Sequence, residues 1–151
     1  MKFSNLFLLT LFLGVTQLQA QIKVDKITYK NIDHFITTTI GYPVPGLFLF
    51  EGKSEPSILL NPNGTGVFQY EDLSKKNITW GIECTEEGIP IFKEGFNSAS
   101  YTFWYKTDND ENWIFTQFSI HYNKKKMFIM GERVKDYEDY NDLNKPGKSR
   151  L

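Results

Sequence analysis

The side chains with the greatest chemical reach in this chain are one cysteine, Cys84, and two histidines, His34 and His121. A thiolate held beside an imidazole is an activated nucleophile, so Cys84 with either histidine is the first arrangement to weigh. The local pattern speaks against it. Cys84 keeps step with Ile78, Trp80 and Ile82, which puts it on the apolar face of a strand, where a free cysteine acts as a small buried hydrophobe. His121 alternates instead with Ser119 and Gln117, as on a polar sheet face. No cofactor is implied. Zinc needs several closely spaced Cys or His ligands, and the sequence has no such cluster. Asp108-x-Asp110-x-Asn112 spaces oxygens as a calcium loop begins, but Trp113 stands at the glycine position and Ser119 at the closing glutamate. A solvated turn accounts for those acids. Asn63 and Asn77 each open an acceptor pattern for glycosylation, whose use depends on the host.

The remaining candidate chemistry is aromatic. The 13 Phe, 8 Tyr and 3 Trp make up 16% of the chain and fall mostly in short alternating runs, the way half-buried sheets are filled. If the sheet closes on itself, Trp80, Tyr101, Phe103, Tyr105 and Phe118 would line a cavity for a small apolar or amphipathic ligand, with Gln117 or His121 as orienting groups. The competing reading is an ordinary packed core, since small barrels often fill their interiors.

These residues must be positioned by strands, and the pattern predicts strands nearly throughout. Ile22 to Tyr29 and His34 to Ile40 suggest two in an N-terminal extension, residues 21–45. Gly41-Tyr42-Pro43-Val44-Pro45-Gly46 is a loop, because paired prolines between glycines continue neither a ladder nor a helix. A regular domain follows over residues 46–132. Its runs are Leu47 to Glu51, Ser57 to Leu60, Gly66 to Tyr70, Ile78 to Cys84, Tyr101 to Lys106, Trp113 to Tyr122 and Met127 to Glu132. Asn63-Gly64 supplies the positive φ angles of a tight hairpin, and Lys124-Lys125-Lys126 reads as a soluble hairpin tip. With no crossover helices, the expectation is an all-β antiparallel meander of about eight strands. It closes as a barrel or packs as a two-sheet sandwich, and closure, which removes edges, favours the barrel. Residues 133–151 read as a polar, largely disordered tail.

The ends carry their own information. Lys2, the apolar run Leu6 to Val15 and the segment ending Leu18-Gln19-Ala20 form a secretory leader. The run is too short to span a bilayer as a helix, so no transmembrane anchor is expected. Cleavage after Ala20 leaves 131 of the 151 residues, one ordinary domain, with 16 basic against 18 acidic side chains. Such a balance has no field to attract nucleic acid or an anionic membrane. A single cysteine also rules out an internal disulfide.

The stretch Leu59-Leu60-Asn61-Pro62-Asn63-Gly64-Thr65-Gly66-Val67-Phe68, with Trp80 twelve places on, resembles the hairpin of small exported lipocalin-like proteins of Gram-negative bacteria. Gly46-Leu47-Phe48-Leu49-Phe50 would be the opening strand, with Phe48 where true lipocalins carry Trp. The resemblance implies a barrel with an apolar interior in the periplasm or outside the cell. The expectation is therefore a non-enzymatic, lipocalin-like protein that binds a small hydrophobic ligand. The alternative is an interaction module or inhibitor that meets an envelope protein through an exposed sheet face, with Trp104 or Trp113 outside a filled core. A small hydrolase, the third class, would need Cys84 exposed beside a histidine.

Overall fold

The computed structural model describes residues 22–52, 57–122 and 126–145. The expected leader, Lys124-Lys125 and the last residues of the chain lie outside that set. The strands are β1 (Val24–Tyr29), β2 (Ile32–Thr37), β3 (Gly46–Phe50), β4 (Ser57–Leu60), β5 (Thr65–Gln69) and β6 (Lys75–Cys84). Then come β7 (Phe92–Gly95), β8 (Ser98–Thr107), β9 (Ile114–His121), β10 (Lys126–Ile129) and β11 (Glu132–Asp139), followed by one helical turn, α1 (Tyr140–Leu143).

Eight of these strands form a closed antiparallel barrel in the order β3-β4-β5-β6-β8-β9-β10-β11, with β11 returning to pair with β3. The class read from alternation is thus the observed one. Inward positions follow the period of two: Ile78, Trp80 and Ile82 on β6, Ala99, Tyr101 and Phe103 on β8, Phe118 and Ile120 on β9. They join Phe48, Phe50, Ile58, Leu60, Met127 and Ile129 in one buried cluster. The Pro-Val-Pro loop contributes too. Its Val44 is wholly buried and, with Ile40, belongs to the same cluster.

The hairpin that carries the lipocalin resemblance is knit to Trp80. Gly64 sits at φ 86°, and its carbonyl accepts the Trp80 backbone N–H at 2.8 Å. Asn63 Oδ1 accepts from Thr65 N and Thr65 Oγ1. The Trp80 indole N–H donates to the Thr65 carbonyl at 2.9 Å. The spacing from Asn63 to Trp80 therefore serves to anchor a buried indole, whose donor must find a partner inside a core.

Two boundaries differ from the sequence reading. The barrel does not end at Glu132, and residues 133–139 are not a disordered tail. They form most of β11, the strand that closes the barrel, with Val134 and Tyr137 packed on the core. A register shift between Val134 and Asp136 breaks the period of two, as a bulge does, and Arg133, Lys135 and Asp136 are exposed. The run from Met127 to Glu132 is two strands, because Met130 and Gly131 both take positive φ (54° and 80°) and turn the chain. The N-terminal extension carries two strands, β1 and β2. The β1–β2 hairpin, turned at Lys30 and Asn31, pairs through Phe35, Ile36 and Thr37 with Cys84, Glu83 and Ile82 of β6.

That hairpin builds a second small core outside the barrel. Ile27, Ile36 and Trp104 are buried together, with Tyr29 and Trp113 packed beside them. Gly81 makes the contact possible: a Cβ there would stand 2.8 Å from Ile36, so only glycine lets the hairpin lie this close. Trp104, which a bare barrel would expose, is 2% exposed.

Candidate functional site

β8 and β9 carry all but one of the expected site residues, and the strand period sorts them. Tyr101, Phe103, Tyr105 and Phe118 point inward with Trp80 of β6. Trp80 stacks on Phe103 at 5.8 Å and 15° between planes, Phe103 meets Tyr105 at 6.0 Å, and Tyr101 meets Phe118 at 6.2 Å. Phe48 reaches Phe118 from across the barrel at 6.3 Å. These rings are one another's partners, and Trp80, Phe103 and Phe118 are at most 1% exposed. Burial raises the Tyr101 hydroxyl to about 12, helped by its hydrogen bond with Tyr122. The Tyr105 and Tyr137 hydroxyls are also raised, chiefly by burial.

Gln117 and His121 do not join that set. They face outward, where Ser98 lies opposite His121, Ser100 opposite Ser119 and Thr102 opposite Gln117. Gln117 Nε2 donates to Ser100 Oγ at 2.9 Å and to Ser119 Oγ at 2.6 Å, and the two serine oxygens are 3.2 Å apart. Both amide hydrogens are spent within the face, so the side chain is held, and Gln117 Oε1 is left without a partner among the described residues. His121 Nδ1 is buried with no partner among the described residues, so any bond from His121 to a ligand in this rotamer comes from Nε2.

This face carries two open clefts. A cleft of about 600 Å³ is lined by Lys93, Ser100, Thr102, Phe115 and Gln117 among others. A second, of about 430 Å³, is lined by Ser119, His121 and Phe128. They share Ser98, Ser100 and Gln117, which makes them one outer groove with Gln117 at its middle. The edge strand β7 supplies one wall. The sequence did not show this strand, because Phe92-Lys93-Glu94-Gly95 is too short to declare an alternation.

The thiol and the acids have structural surroundings. Cys84 is 3% exposed, and burial, with the Glu83 charge beside it, pushes its thiol up to about 11. A protonated buried thiol is a poor nucleophile. His34 Nδ1 lies 2.9 Å from Glu83 Oε1, and its ring is 4.7 Å from that of Trp104. Asp110 accepts from Thr107 N and Oγ1, and those bonds hold its carboxyl below the usual range. Asp108 Oδ2 accepts from Asn77. Among the described residues, no three His, Cys, Asp or Glu side chains are placed to share a metal ion, and no helix is long and apolar enough to cross a membrane.

No protein-family model, no curated protein and no solved structure matches the chain.

Proposed function

We propose that the chain is an exported, non-enzymatic recognition module on a lipocalin-like barrel, and that it binds on the outer face of β8 and β9. The carrying observation is the outer groove. Six hydrogen-bonding side chains, Ser98, Ser100, Thr102, Gln117, Ser119 and His121, face one way there, between exposed Phe115 and Phe128. Concave sites with a few fixed polar groups are where small ligands are held, and Gln117 is already fixed by two serines. The inward rings support the same choice, since Trp80 stacks on Phe103 and Phe118 lies against Phe48 and Tyr101. Export rests on the leader-like pattern of Lys2, Leu6 to Val15 and Ala20. The buried, protonated Cys84 supports a binding role over a catalytic one.

Photocrosslinking in the native host tests this. With p-benzoylphenylalanine replacing Lys93, exposed on the β7 wall of the groove and outside its hydrogen-bonding set, illumination should give discrete adducts. The same replacement at Leu73, exposed in the β5–β6 turn, should give none. Equal labelling at the two positions, or labelling at Leu73 alone, would overturn the proposal.

A further inference from the structure

The chemistry of the outer groove narrows its ligand, given that recognition takes place there. Nucleic acids and other polyanions are held by clusters of Lys and Arg. This groove has Lys93 with Glu94 beside it, one charge of each sign. An apolar ligand would take these Ser, Thr, Gln and His side chains out of water and offer no partner for the hydrogen-bonding capacity left over from the Gln117–Ser100–Ser119 bonds. Protein interfaces are depleted in serine, whereas three of the six facing side chains are serines. A neutral molecule rich in hydroxyls satisfies such a face, because each hydroxyl can both donate to Gln117 Oε1 and accept from a serine or threonine.

Two aromatic rings add shape. Phe115 is 54% exposed and is held from behind by Tyr29 at 5.7 Å and Trp104 at 5.1 Å. Phe128 is 43% exposed and lies opposite Ser119. Four residues of β9 and one strand spacing separate them, about 14 Å between backbone positions. The negative face of an aromatic ring attracts the C–H face of a pyranose, and this separation is too long for one sugar to touch both rings.

We propose that the groove binds a neutral oligosaccharide lying along β8 and β9. Sugar rings stack on Phe115 and Phe128, and the hydroxyls between them bond to Gln117 Oε1, Thr102 and the serines. The inference rests on outer-face recognition and can fail without it.

The test is an amide NMR titration of the exported protein with neutral hexasaccharides of glucose, mannose, xylose and N-acetylglucosamine, against a heparin hexasaccharide. At least one neutral series should move the Thr102, Gln117 and Ser119 amides saturably, and heparin should not. Phe128→Ala, on β10 away from the hairpin, should weaken that binding about tenfold or more, as should Phe115→Ala. If no neutral series moves these amides, if the shifts fall elsewhere, or if heparin binds as well, the glycan assignment is wrong. Crosslinked adducts at position 93 that prove to be peptide would reject the glycan and leave outer-face recognition standing. An absence of adducts there would reject both.

Discussion

β8 and β9 present two faces built from alternate residues of the same strands, and the two could hardly differ more. Inward, Tyr101, Phe103 and Phe118 are almost wholly buried and touch other rings. Outward, Ser100, Gln117 and Ser119 bond to one another within reach of solvent. A strand period of two lets neighbouring residues serve unrelated ends: one face supplies burial free energy, and the other is free to be chosen for contact with a ligand. The first face should therefore govern stability, and the second should govern binding.

The largest effect belongs to the inner face. Trp80→Ala removes a fully buried indole stacked on Phe103 and should cost about 3–5 kcal/mol in urea unfolding. A loss under about 1 kcal/mol would show that the inward rings are not packed as described. A finer contrast concerns the two buried tryptophans. Trp80 Nε1 donates to the Thr65 carbonyl, whereas Trp104 Nε1 is buried with no partner among the described residues. Trp80→Phe should thus be the more destabilising of the pair by about 1–3 kcal/mol, and equal losses would refute that distinction.

Much of the inner face was legible in the sequence. Tyr101-x-Phe103-x-Tyr105 and Phe118-x-Ile120 announce their side of the sheet, and Asn63-Gly64 announces its turn. β11 was not legible, since charged Lys135, Asp136 and Glu138 dominate its composition and the bulge after Val134 breaks its rhythm. The outer groove was harder still. Alternation separated Gln117 and His121 from Phe118, yet a groove depends on the wall of β7 and on the hairpin behind Phe115, which only the fold brings together. Likewise Gly81 looks like any strand glycine until Ile36 is seen against it.

pH sharpens the comparison further. Cys84 titrates near 9.0 when free and at about 11 in the fold, and Tyr101 near 10.0 against about 12. Both folded values are raised, so the unfolded chain loses its protons first. Stability is full below pH 9 and falls as pH rises from about 9 towards 12. Urea midpoints at pH 8 and pH 10.5 should show the drop, and Cys84→Ala should lose the part that begins nearest pH 9. A midpoint unchanged across that range would contradict the burial of these groups. The smallest effect lies on the outer face, where Gln117→Ala should change stability by no more than about 0.5 kcal/mol. A loss several times larger would make that residue structural.

The central claim is that binding occurs outside the barrel, and paired photocrosslinking asks it most directly. p-Benzoylphenylalanine is placed in the host-expressed protein at Lys93, on the wall of the outer groove, and separately at Tyr105, on the inner face beside Phe103. Adducts from position 93 and none from position 105 are the result this account predicts. Adducts from position 105 and none from position 93 would place the ligand in the barrel and contradict it.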